Sequence, residues 1–587
     1  MKRITEMAKP GSYVYIHYSG HGTRMEASFP YGNTSTGDLA LVLLEREEDT
    51  KVRYLPGTEL AELLRTMMQK GIIVNLILDC CFSGSVLRDG SCDGIRFLPY
   101  DREICVKYPT ICAGNGETRA SMTRDGSMLP NWLLDPEGYT ILTACGPHEK
   151  AQELKLDTGN RRGVLSYFLL RTLTKLGSIS TRQEQIYAHL CARFHAKWPK
   201  QSPMLYGNKD LGFFGRLISP CNSTAISVFR GDQDELFLRA GQAHGAYKDD
   251  VYALHPCNPT VANDVDAKDS GILVKIIESR AVLSILKAID GGDIPAKVET
   301  GWNAKAVTQI NLEKVPIRLV ASLRDRESWF RMGVDYPSVS LYMSEGAVLP
   351  FLFHLVQLDD GQYEVQNESC ERIFGPIALS DDPSSRRRIF DALQHLTRFK
   401  HIEAIENRHA CPSFEDSFTI QIRDSTGKIL DTSNCIEVNH GEELYMTLHN
   451  HSQSPVCVHL YDMGPTWKVQ NLQKASYTVL VPTERPEQSR KLRLKMIVPD
   501  ELRQQGQRSC IDIIKVFVTG QPTSMWMLEL NPLHDISKPH AASRGIHKLP
   551  RFLSNLSFGA LRDGEAQTEE NWSTRNLRVR TVIRDHT

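Results

Sequence analysis

No stretch of the 587-residue chain approaches the ~18 uninterrupted apolar residues of a helical membrane span, which excludes that class of membrane protein. Charge of one sign is missing too. The formal net charge is -1 and the isoelectric point about 7.0, so nothing in the bulk composition draws the chain to nucleic acid or anionic lipid. Fourteen cysteines contain no CxxC pair, which argues against a zinc site and against a small disulfide scaffold. Thiols in a reducing, cytoplasmic setting are the expectation. The opening Met1-Lys2-Arg3-Ile4-Thr5-Glu6-Met7 lacks the long apolar core of a secretory signal. No internal repeat is present. An apolar content of 41% is enough for several packed cores.

Two strand-like runs in the first hundred residues carry reactive side chains at their exits. One is Tyr13-Val14-Tyr15-Ile16-His17-Tyr18-Ser19-Gly20-His21-Gly22, the other Ile72-Ile73-Val74-Asn75-Leu76-Ile77-Leu78-Asp79-Cys80-Cys81-Phe82-Ser83-Gly84. Both end in small residues, which delivers a histidine and a cysteine to the carboxyl edge of a sheet, where chemistry gathers in open α/β folds. The strand period of two sends Asp79 and Cys81 to one side and Cys80 to the other, and projects Ser19 and His21 together. With His21 taking the thiol proton, the Cys81 thiolate would attack a carbonyl carbon. The amides around Gly22 and of Cys81 would hold the oxyanion. Asp79 would line a negative pocket for Arg or Lys before the cut.

Residues 1–218 alternate strand and helix patterns. Leu39–Leu44 reads as a strand, and Leu60, Leu63, Leu64, Met67 and Met68 form one helix face stopped by Gly71. The cysteine strand follows, and strand–helix–strand is the unit of parallel sheets. Residues 85–137 form a polar, Gly-rich insert. Tyr139–Ala144 is a further strand. Leu165, Phe168, Leu169, Leu173 and Leu176 mark one helix ending at Gly177, and Ile186, Leu190 and Phe194 mark a second opened by a Thr181/Glu184 capping box. After about residue 219 short alternating strands dominate, such as 271–277 and 443–449, as all-β modules require. The expected division is an α/β domain at 1–218, a β-rich domain at 219–320, and a β-sandwich-like domain at 321–534. A helical interlude near 384–405 and a largely disordered 535–587 complete it.

The sequences His-Tyr-Ser-Gly-His-Gly (17–22) and Asp-Cys-Cys-Phe-Ser-Gly (79–84) resemble the caspase-like peptidases, and within them the metacaspases. The resemblance extends over about 11–218, to Thr143-Ala144-Cys145, Gly163-Val164-Leu165-Ser166 and Gln201-Ser202-Pro203. It implies an α/β caspase-like fold with His21 and Cys81 as catalytic dyad, Ser19 and Asp79 in the pocket, and protein or peptide substrates cut after a basic residue. It also implies self-cleavage in the 85–137 insert, with Arg88, Lys107, Arg119 and Arg124 as candidate sites. The family usually has His at the position of Phe82. Its first strand and a following helix precede the histidine motif, whereas twelve residues lie ahead of Tyr13 here. A truncated gene model, a partner that fills the gap, and a relic domain are the three readings of that difference. The loss of a central strand would leave an open edge and a bare apolar face. Calcium is required by many members. The run after Gly22 lacks the dense carboxylates a hard cation prefers, and Asp38, Glu45, Glu47, Glu48 and Asp49 are what is available later.

Other features have plainer readings. His17 reads as a sheet histidine and Cys80 as a small buried filler. Asp79 has a second reading as the cap of a helix that starts after the nucleophile turn. Arg386-Arg387-Arg388 reads as an exposed helix start rather than a nucleic-acid patch. His440, His449, His451 and His459 lack compact metal-ligand spacing, so no metal is expected there. The β modules carry no catalytic motif and would bind or tether a partner. The rival to an endopeptidase is therefore an inactive, caspase-like adaptor acting through those modules.

Overall fold

The computed structural model describes residues 1–25, 38–44, 52–81, 94–101, 103–104, 138–146, 149–156, 159–176, 182–207, 212–214, 226–256, 271–308, 315–319, 326–333, 336, 339–343, 351–378, 384–407, 410–473, 477–482, 490–537 and 571–584. The segment Lys2–Met7 (α1) precedes β1 (Tyr13–Ser19). Strands β2 (Gly22–Met25), β3 (Asp38–Leu44) and β4 (Val52–Pro56) follow, then α2 (Gly57–Gln69) and β5 (Ile73–Asp79). Next come β6 (Thr140–Thr143), β7 (Glu153–Lys155), β8 (Arg161–Gly163), α3 (Val164–Leu176), α4 (Gln183–Lys197) and β9 (Met204–Gly207).

The main sheet runs β1-β5-β6-β9, with β1, β5 and β6 parallel and β9 antiparallel. It is sandwiched between two apolar layers. Leu60, Leu64 and Met67 of α2 pack with Val74, Leu76, Leu78 and Cys80 on one face. Leu165, Phe168 and Leu169 of α3 and Ile186, Leu190 and Phe194 of α4 cover Ile77, Cys81 and Leu142 on the other. Each such side chain contributes about 1.5–3 kcal/mol on burial, and the 3.6-residue spacing is what puts them on one stripe. Gly71, at φ 77°, supplies the left-handed residue that ends α2. Helix α4 begins at Gln183 with Arg182 as N-cap and no side-chain cap bond; Thr181 of the expected Thr181/Glu184 pair lies outside the described residues. The run 39–44 does form a strand, but in a separate antiparallel sheet, β2-β3-β4. Among the described residues β1 has no partner on its outer edge.

Downstream, residues 226–308 close into a six-stranded barrel, Ile226–Arg230, Leu236–Leu238, Ser284–Ala288, Ile272–Ser279, Val251–His255 and Asn303–Thr308 in spatial order. The expected boundary at 320 falls too late. Val315–Leu319 already belongs to the next sheet, between Val339–Met343 and Phe353–Gln357. That mixed five-stranded sheet is covered by the helix Ser384–Ala404 through Ile389, Phe390, Leu393 and Leu396. A true two-sheet sandwich starts only at Phe418, so the single domain expected at 321–534 resolves into two units.

Within 535–587, expected to be largely disordered, the described residues include a long strand. Trp572–Val582 forms an 11-residue strand between Ile436–Asn439 and Ser509–Thr519. These modules pack onto the first domain. Trp526 joins the α3/α4 layer, with its ring 5.1 Å from Tyr187, and Cys457 and Tyr477 join the opposite layer beside Met204 and Tyr206.

Candidate active site

The parallel register pairs Ser19 with Asp79 at the last step of β1 and β5. His21 and Cys81 are each two residues further on, so both leave the sheet at one level. The backbone shows how close these exits are. Gly22 N and Cys81 N donate to the same oxygen, the Arg96 carbonyl, at 3.1 and 3.0 Å. Two amides aimed at one oxygen form the donor pair that stabilises a developing oxyanion.

Arg96 also fills the space beside Ser19 and Asp79. Its Nη1 donates to Ser19 Oγ at 2.8 Å and to the Asp79 carbonyl at 2.9 Å, and its Nε lies 3.6 Å from Glu153 Oε1. The residue is 7% exposed. The Asp79 carboxylate faces elsewhere. Its Oδ2 accepts from Ser166 N at 2.9 Å and from Ser166 Oγ at 2.5 Å, at the first turn of α3. Asp79 thus caps a helix, though α3 rather than one following the cysteine. Its Oδ1 is buried without a hydrogen-bond partner among the described residues. Gly163 leaves room for this carboxylate, because a Cβ there would sit 2.0 Å from Oδ2. His17, read as a plain sheet histidine, extends the network. Tyr15 OH lies 3.0 Å from His17 Nδ1, and His17 Nε2 lies 2.9 Å from Ser166 Oγ. With Ser166 Oγ donating to Asp79, the contact at His17 Nε2 is assigned as Nε2–H donating to Ser166 Oγ. Burial first of all, then Arg96, pushes the His17 pKa down, against the pull of Asp79.

Cys81 is fully buried, and its Sγ donates to the Glu149 carbonyl at 3.3 Å. Cys145 Sγ shares that acceptor at 3.4 Å. The hydrogen bond with Cys81, then burial, pushes the Cys145 thiol well up. His21 Nδ1 is buried with no hydrogen-bond partner among the described residues. The Arg24 guanidinium, pushed down in pKa chiefly by burial, interacts favourably with charge on Cys81. A nearby cation favours the thiolate. Cys80 packs in the opposite layer, and burial holds its thiol well up. Gln201 and Ser202 brace the loop behind Cys81: Gln201 Nε2 donates to the Ala144 carbonyl at 2.8 Å and Ser202 N to Glu149 Oε2 at 2.7 Å.

Of the candidate residues, the structure brings Ser19, Asp79, Gly22 and Cys81 around Arg96, and His21 directly precedes Gly22 in the chain. Arg96 and Glu153 are participants that the sequence did not single out, while Gly163 and Ser166 stood in the resemblance without a role assigned to them. Arg88, Lys107, Arg119 and Arg124 lie outside the described residues. So does Glu45–Asp49. Among the described residues no three His, Cys, Asp or Glu side chains converge as a metal site. No disulfide joins the described cysteines. No described helix is long and apolar enough to cross a membrane.

The main sheet brings a histidine and a cysteine to adjacent strand exits. Residues 1–89, which contain both motifs, match the family model for the metacaspase, peptidase C14 domain. Over those residues the chain is similar to the metacaspase peptidase domain. No curated protein matches the chain.

Proposed function

We propose that the chain is a cysteine endopeptidase that cuts proteins or peptides after Arg or Lys, with His21 as general base and Cys81 as nucleophile. The observation that supports it most is the convergence of the Gly22 and Cys81 amides on one carbonyl oxygen whose own residue is an arginine held at Ser19 and the Asp79 carbonyl. In this reading His21 takes the Sγ proton and the sulfur bonds to the substrate carbonyl carbon. The oxyanion rests on the two amides. The C–N bond then breaks, the amine leaves with the His21 proton, and water hydrolyses the thioester with His21 as base again. Ser19, the Asp79 carbonyl and Glu153 receive the basic side chain, while the Asp79 carboxylate orders α3 through Ser166. The Cys81 side chain must first rotate away from the Glu149 carbonyl. A reducing, intracellular setting would keep the Cys81 thiol free for this dyad.

The test is hydrolysis of arginyl and lysyl peptides by wild type and Cys81→Ala. Loss of turnover in the variant is expected, and equal rates would falsify the assignment. One observation favours the inactive adaptor: the fully buried Cys81 thiol donates to the Glu149 backbone carbonyl. An arginyl acyloxymethyl ketone that labels Cys81 stoichiometrically would reject that alternative.

A further inference from the structure

The strand-like segment 94–98 occupies the cleft that the proposed peptidase reading reserves for substrate. Arg96 N donates to the Ala151 carbonyl at 3.0 Å and Glu153 N donates to the Gly94 carbonyl at 2.8 Å, an antiparallel pairing on one side. Leu98 N donates to the Gly22 carbonyl at 3.0 Å, a parallel pairing on the other. Phe97 is buried in the α3/α4 layer. A peptide read by such a cleft needs backbone pairing, a seat for its basic side chain and two amides on its carbonyl oxygen. Arg96 has all three.

We propose that residues 94–98 are a built-in occupant of the substrate cleft, with Arg96 in the seat of the basic residue, so that an arginyl peptide binds only by displacing them. This rests on the peptidase reading for the meaning of the cleft, and it goes further by naming what blocks it. The segment is held by groups that any substrate would also need: the Ser19 hydroxyl, the Asp79 carbonyl, and the Gly22 and Cys81 amides. Occupant and substrate are therefore mutually exclusive. The apparent affinity of a competing peptide then falls by the fraction of molecules whose cleft is open. The Cys81 thiol points to the Glu149 carbonyl, and the occupied state is a resting one.

The experiment uses the full chain with Cys81→Ala throughout, so that binding is read without turnover. The probe is a fluorescein-labelled peptide with a single arginine, followed by anisotropy. Adding Arg96→Gln is expected to tighten binding by about tenfold or more, since the competent fraction rises toward one. Affinity unchanged or weakened in a variant with native circular dichroism overturns the proposal. Because Arg96 is buried, a second measurement avoids the substitution. Saturating peptide should speed hydrogen exchange of the Arg96 and Leu98 amides in Cys81→Ala, and bound peptide with unchanged exchange there also overturns it. The two readings separate cleanly. Tighter binding in Arg96→Gln with no turnover once Cys81 is restored would sink the peptidase and leave the occupant standing. Turnover with unchanged affinity would do the reverse.

Discussion

Replacing Gly163 by alanine probes the pocket through a single methyl group. The added Cβ would lie 2.0 Å from Asp79 Oδ2, 2.5 Å from Cγ and 2.7 Å from Oδ1. The carboxylate is fully buried and cannot retreat into water. To yield, it must give up the Ser166 N and Oγ hydrogen bonds that order the start of α3. Each bond to a charged acceptor is worth about 1.5–3 kcal/mol. Together they set a loss of about 3–5 kcal/mol, the scale seen when a buried charge loses its partners. A Gly→Ala change free of such a clash shifts stability by under about 1 kcal/mol, so magnitude alone separates the two cases. A chain of several modules does not unfold in two states, so the assay is local: native hydrogen exchange of the Ser166 amide and of β5. The control is Asp79→Ala. In that background the methyl group has nothing to strike, and its cost should shrink by about 2–3 kcal/mol, a coupling typical of touching groups. Exchange at Ser166 within a factor of five of wild type in Gly163→Ala, or a cost undiminished in the Asp79→Ala background, would refute the reasoning.

Two further predictions concern the joints between modules. His244 is buried, takes a hydrogen bond from Gly241 N at 3.1 Å and lies 3.0 Å from Thr523 Oγ1; burial, then the charges of His459 and Arg239, pushes its pKa down to about 3. Its folded pKa lies below the unfolded value, so its contribution is complete above about pH 6.5 and is lost as the pH falls toward 3, at about 1.4 kcal/mol per pH unit. Exchange of the barrel amides between pH 6.5 and 4.5 should show a shallower acid dependence in His244→Asn, and an identical slope counts against this origin. Trp526→Ala removes the ring that packs on Tyr187 of α4. A loss of about 3–5 kcal/mol, the usual range for a buried Trp→Ala change, is expected. It should appear as faster exchange in both α4 and the 525–530 segment, and a change confined to one side would show that the contact does not join them.

What the sequence made legible was what local pattern encodes. The runs ending at Ser19 and Asp79 announced themselves by apolar content and by small residues at their exits. The helices α2, α3 and α4 did so by period. Arg96 gave no such sign. It sits in a polar stretch with no periodicity, and its extended backbone is held by Gly22 and Ala151, both more than fifty residues away. The pairing of Asp79 with Ser166 was hidden for the same reason, since a cap supplied by another element leaves no spacing to read. Trp572–Val582 was missed on composition. Arg575, Arg578 and Arg580 mask an alternation in which Leu577, Val579 and Thr581 point inward. Those arginines are surface groups: Arg575 pairs with Glu415 and Arg578 with Glu403.

That late strand has a consequence for how the molecule is made. It lies inside a six-stranded sheet, zipped to Ser509–Thr519 along its whole length and laid parallel to Ile436–Asn439. During synthesis the nascent sandwich therefore carries an open slot until residue 582 has cleared the ribosome. Its other strands wait for a partner made more than a hundred residues later than the first of them. Unpaired edges of that kind are where intermediates stick to one another. A stalled or prematurely stopped translation product should thus be the species that chaperones retain.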